Sequence, residues 1–184
     1  FLFFSNMLFW GTGAYLVITH QVKLALDLGY SPEIAASTTA FFGIFMVVGQ
    51  ASSFISDYIG RETSVFISSL AASAGIICLF FFVNGDAALP LYLFSALFGY
   101  GSGLFAVCIY AGASDIFNGN RFGFFNGFIL AGMGIGGAFG PWFGGLLHDI
   151  FHSYDYALIL ALISFIISSL FFYLAGPRLY SRLN

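Results

Sequence analysis

"FGFFNGFILAGMGIGGAFGPWFGGLL" occupies residues 122–147 and holds no charged side chain. About 20 consecutive apolar residues carry a helix across the hydrocarbon of a bilayer, so this run can span one. Its glycines keep register: Gly132, Gly136, Gly140 and Gly144 recur every fourth residue, with Gly123 and Gly127 below them. That spacing puts small residues on one helix face. In lipid, such a stripe lets two backbones approach closely. Gly140-Pro141 is expected to bend the helix. The stripe has two readings: a seam for packing alone, or one along which helices also slide.

Working outward, five more runs pass the same test, giving spans at about 2–26, 33–55, 64–83, 89–112, 122–147 and 156–176. The breaks between them carry turn chemistry: "DLGYSPE" at 27–33, "SDYIGRE" at 56–62, "NGDAALP" at 84–90, "DIFNGNR" at 115–121 and "HDIFHSYD" at 148–155. The runs are too long, and alternate too little, for membrane strands. Composition agrees with an all-α membrane protein. The 184 residues are 60% hydrophobic, 21% aromatic and 7% charged, where a soluble domain carries about 25% charged residues. A net charge of −3 offers no basic patch for nucleic acid. Cys78 and Cys108 lie inside apolar runs and read as buried, reduced thiols. No His/Cys/Glu group has metal-ligand spacing, so no metal or cofactor is expected. The chain opens without a Met or a cationic leader, which points to a piece of a longer protein.

Cations orient the spans. Arg61 lies in the second connection, Arg121 at the end of the fourth, and Arg178 and Arg182 after the last span; Lys23 alone lies toward the other side. The positive-inside bias then makes both ends of the chain cytoplasmic. The second and fourth connections both read Ser-Asp, then Gly, then Arg, a sign of an internal repeat of three helices plus three. Glycine is rich in the fourth and fifth spans and sparse in the third, which has Gly75 alone. On that basis the third and sixth spans are expected on the lipid-facing outside, and the other four in the packed interior.

Polar residues inside spans are costly and usually have a task or a partner. His20, Lys23 and Asp27 share one face of the first span. They form either an interfacial anchor or a mouth, with Lys23 attracting an anion and His20 titrating near neutral pH. Tyr15, Gln50, Tyr100, Tyr110 and Asn126 are candidates to touch a solute or to bond helix to helix.

With this topology, residues 53–62 resemble the G-x-x-x-D-R/K-x-G-R-R/K loop of major facilitator transporters. Asp57, Gly60 and Arg61 match it, while Ser53, Tyr58 and Glu62 depart. "HQVKLALDLGYSPEIAA" at 20–36, and residues 115–149 with Gly-Pro followed by Gly-x-x-x-Asp, resemble the oxalate/formate and monocarboxylate branch. The resemblance covers nearly the whole chain. It implies the C-terminal six-helix half of a twelve-helix transporter, with a 3+3 inverted repeat. Its partners would be the N-terminal half, the lipid bilayer, and a small mono- or dicarboxylate moved by alternating access with a coupled proton or an exchanged anion. It implies a plasma (inner) membrane location, and a gating role for Asp57, Gly60 and Arg61. One departure bears on substrate: carboxylate carriers often place Arg after a Gly in the eighth helix, and here Gly49 is followed by Gln50. The rival reading is a non-transporting sensor that keeps the fold. An enzyme is not expected, because no nucleophile–base pair lies at depth in the spans.

Overall fold

A computed structural model describes residues 1–82, 87–117, 119 and 122–177. Among them are six helices long and apolar enough to cross a membrane: Leu2–Asp27, Pro32–Ile59, Arg61–Phe80 within a helix that continues to Phe82, Leu89–Ile116, Phe122–Phe151 and Asp155–Ala175. They are called the first to sixth spans below. No strand occurs among the described residues. Arg121, Arg178, Arg182, Asp86 and Ser181, on which the charge-based orientation draws or could be tested, lie outside them.

Local chemistry sets the ends. The second span starts at Ser31, whose extended backbone and side-chain oxygen cap the Ile34 N–H; Pro32 and Glu33 follow in the first turn. Its last turns tighten into a 3-10 stretch, Ser52–Ile55, and one more helical turn, Ser56–Ile59. Gly60 then breaks the chain direction at φ +97°, a backbone region that side chains with a Cβ disfavour. Hydroxyls inside the spans satisfy themselves on the preceding turn, as Thr12 does on the Leu8 carbonyl and Ser95 on that of Leu91.

The packing is an exchange. The first span packs on the fifth and sixth; the fourth packs on the second and third; the third and sixth meet each other. Relabel the first three spans as the last three, and the main contacts map onto themselves. This is the expected 3+3 repeat, with each three-helix unit lending its first helix to the other.

Glycines make both seams. A Cβ at Gly132, Gly136 or Gly140 would run into the backbone of Phe4, Leu8 or Thr12 on the first span. In the other unit, Gly99 and Gly103 of the fourth span meet Phe42 and Met46 of the second. Trp10 closes the centre. It stacks on Phe105 of the fourth span at 3.7 Å between ring centroids and lies 4.7 Å from Phe165 of the sixth.

The expected division into interior and outer helices is not what forms within this chain. The fourth and first spans are the most enclosed, at 61% and 50% buried, and the fifth and second the least, at 17% and 22%. Gly75 of the third span is itself a packing glycine, since a Cβ there would stand 2.9 Å from the Phe94 carbonyl oxygen. A glycine count reports close approach on one face. It says nothing of the opposite face, and on the fifth span that face is open: Phe124, Phe139 and Trp142 are exposed.

Candidate functional site

Polar chemistry concentrates at the two ends of the bundle and at one patch between them. At the first end, Gly60 lets the third span begin with Arg61 turned back onto its neighbours. The Arg61 guanidinium pairs with Asp57 at 2.6 Å and, through Nε, with Asp115 of the fourth span at 3.1 Å. It also donates to the Ser56 hydroxyl. Arg61 is mostly enclosed, with 19% of its side chain exposed, while Asp57 is 59% exposed. The Asp57–Arg61 pair joins neighbouring turns, and the Arg61–Asp115 pair ties the two repeat-related Ser-Asp stretches together.

At the other end, the shared face of His20, Lys23 and Asp27 divides. Lys23 pairs with Asp27 at 2.9 Å in an exposed bridge. His20 turns instead toward the fifth span. Its Nε2 lies 3.1 Å from the Pro141 carbonyl oxygen, and its Nδ1 lies 3.4 Å from the Tyr154 hydroxyl. Gly144 makes the room, because a Cβ there would sit 2.7 Å from the His20 ring. Tyr154 is flanked by a second imidazole: the His148 ring centroid is 4.4 Å away, and His148 Nε2 lies 3.5 Å from Asp27.

Between the ends, Tyr15 lays its ring over Gly137 and is 40% exposed. Tyr110 of the fourth span is half-buried and close enough to Tyr15 for the two phenols to interact electrostatically. The other candidates stand apart. Tyr100 accepts from Ser52 at 3.2 Å, in the seam between the second and fourth spans. Gln50 is exposed on the second span. Asn126 is half-buried near the start of the fifth, with its amide oxygen lacking a hydrogen-bond partner among the described residues. Both cysteines are free, Cys108 buried and Cys78 half-buried.

A model of the Major Facilitator Superfamily matches residues 1–183. The chain belongs to the major facilitator superfamily. No curated protein matches it. It is a membrane transporter, and its six spans have the architecture of half a major facilitator fold.

Three residues of this facilitator half stand at the site although the sequence reading did not single them out. His148 was legible in principle. The ladder of 132, 136, 140 and 144 reaches 148 at its next step, and the fifth helix runs on to Phe151 rather than stopping at 147. Asp115 was legible in the Ser-Asp repeat, since the loop related to that of Asp57 carries a carboxylate at the same place. Tyr154 was not, because nothing local links it to a histidine 134 residues earlier.

Proposed function

We propose that this chain is the C-terminal half of a secondary active transporter that moves a small solute by rocking against an N-terminal six-helix half. The observation that carries this is the uneven enclosure of the spans. Two complete seams hold the bundle together, yet the second and fifth spans present long apolar faces that the chain itself leaves bare, such as Ile44, Val47, Phe139 and Trp142. Lipid covers apolar faces in a bilayer, but these two spans are the barest of the six, the pattern of a surface that meets another helical unit. A second half, pseudo-symmetric to this one, covers them and encloses a path between. Tyr15 and Tyr110 border that path, with Gln50 and Asn126 as further contacts.

The solute is a small mono- or dicarboxylate, on the resemblance of residues 20–36 and 115–149 to the oxalate/formate and monocarboxylate branch. Among the described residues no Lys or Arg lies at mid-depth in the spans, so in this half hydroxyls and amides do the binding, and a cation for the carboxylate comes from the other half. The Asp57–Arg61–Asp115 cluster serves as a cytoplasmic latch. Charge pairs with one exposed partner, as Asp57 is at 59%, exchange for water at little net cost, on the order of 0–1 kcal/mol, which suits contacts that form in one access state and open in the other. Both ends of the chain lie in the cytoplasm, and the membrane is the plasma (inner) membrane.

Uptake of a panel of labelled carboxylates into proteoliposomes containing the full-length protein is the test. Accumulation driven by a solute or proton gradient is expected. Solute binding without movement in either direction would replace the transporter with a sensor that keeps the fold.

A further inference from the structure

We propose that His20 is a proton-binding residue of this transporter, taking the proton at Nδ1 and passing the event through Tyr154 to the junction of the first, fifth and sixth spans. Its role in coupling rests on the transport reading above; the protonation site does not.

The geometry assigns the tautomer. A carbonyl oxygen only accepts, so the nitrogen facing Pro141 at 3.1 Å, Nε2, carries the hydrogen of the neutral ring. Nδ1 is then the lone-pair nitrogen, and the Tyr154 hydroxyl at 3.4 Å donates to it. Burial raises the Tyr154 phenol above its ordinary value, so it enters as an O–H. When Nδ1 takes a proton, both ring nitrogens become donors. The Tyr154 oxygen must then accept, and its own hydrogen must turn to another acceptor. A candidate lies on the same cavity: Gln21 is 3% exposed and its amide oxygen has no hydrogen-bond partner among the described residues. Gln21, His20 and Tyr154 line the same small cavity. Proton uptake thus converts two neutral bonds and one open acceptor into two charge-assisted bonds and a filled acceptor. Charge-assisted bonds are shorter and roughly twice as strong as neutral ones, so the three spans are drawn together at this end.

The charged and titratable groups at this junction come from three elements. The fifth span supplies His148 and Asp149, which lie 3.7 Å apart, and the connection before the sixth supplies Tyr154. The first span supplies Lys23 and Asp27, held to each other at 2.9 Å, and Asp27 also faces His148. The third and fourth spans line the cavity only with Leu79 and Phe94. Pro141 supplies a fixed acceptor, and Gly144 leaves the space in which the ring stands.

The experiment is a pH titration of side-chain nitrogen signals in full-length protein labelled at histidine and reconstituted in nanodiscs, with His20→Gln identifying the His20 resonances. Initial uptake rate against pH is measured in parallel. In wild type, the His20 Nδ1 signal is expected to pass from the lone-pair to the protonated form as pH is lowered across the titration. Tyr154→Phe keeps the ring and removes the hydroxyl. It weakens the cation more than the neutral form, so proton affinity falls about tenfold and the midpoint moves down roughly one pH unit. Gln21→Met shifts it the same way by a smaller step, while Lys23→Gln raises it. His20→Gln removes the matching limb of the uptake profile and retains the folded, solute-binding protein. A His20 signal that stays neutral across the range, or a midpoint unmoved by Tyr154→Phe, overturns the proposal. Titration that follows these shifts without any uptake overturns the transport reading and leaves the proton site standing.

Discussion

Gly136→Ala adds one methyl group at one of the tightest contacts in the bundle. The new Cβ would stand 2.8 Å from the Thr12 backbone nitrogen and closer still to the Leu8 carbonyl oxygen, where ordinary contact begins at 3.4 Å. Neither obstacle is a side-chain tip that can swing away. The first span has to retreat from the fifth by more than 0.6 Å, the gap between 2.8 and 3.4 Å. Gly132 and Gly140 meet the same helix one turn to either side, so the retreat loosens three rungs together. Overpacking a tight core typically costs about 1–3 kcal/mol, and an obstacle made of backbone places this case near 3. The control sits two residues away. Gly134 has nothing within 4 Å of an added Cβ, and there Gly→Ala gains about 1 kcal/mol of helix propensity. The two variants should therefore differ by about 4 kcal/mol in equilibrium unfolding by denaturing detergent, with wild type between them. Equal stability of Gly136→Ala and Gly134→Ala would refute the seam.

Three other outcomes are expected. A double-mutant cycle of Arg61→Gln and Asp115→Asn should return a coupling of about 1 kcal/mol, the upper end for partly exposed pairs, since Arg61 is mostly enclosed and bonded at 3.1 Å; additive effects would mean that the pair is incidental. Asp57→Asn should slow uptake while solute binding persists, because Asp57 is exposed and its loss leaves the bundle intact; wild-type turnover, measured with binding on one preparation, would remove the latch. On intact cells an impermeant thiol reagent should label Ser31→Cys and spare Glu62→Cys, and the reverse pattern inverts the orientation.

Much of the fold lay open in the sequence because spanning a bilayer is a one-dimensional problem. Length and apolarity placed all six helices, and the departures are local. The fourth and fifth helices run to Ile116 and Phe151, past the expected 112 and 147, because polar residues such as Ser114, Asp115 and His148 continue a helix once they are outside the hydrocarbon. Which faces meet is a pairing problem, and there the sequence spoke only where a stripe was periodic. The ladder pointed to a seam without naming the first span as its partner. His20 read as a companion of Lys23 by helix spacing, yet its partners are Pro141 and Tyr154, more than a hundred residues downstream. The charge pair of Asp57 with Arg61 was visible at four-residue spacing, and Asp115 entered only through the repeat.

The exchange of first helices between the two three-helix units also has a consequence for how the chain is made. The first span enters the bilayer long before its partners exist, since the fifth begins at Phe122 and the sixth at Asp155. At synthesis rates of about 5–20 residues per second, the wait for the fifth span alone is roughly 6–24 s. Through that interval Asn6, whose amide finally donates to the Ser168 carbonyl at 2.8 Å and to its hydroxyl at 2.9 Å, sits in hydrocarbon with a polar group to satisfy. Its neighbour in the finished bundle, the second span, touches the first only lightly. A newborn transporter of this design therefore depends on shelter at the insertion site until the sixth of these spans is threaded, and a chain released after the third of them would expose the amide it was built to hide.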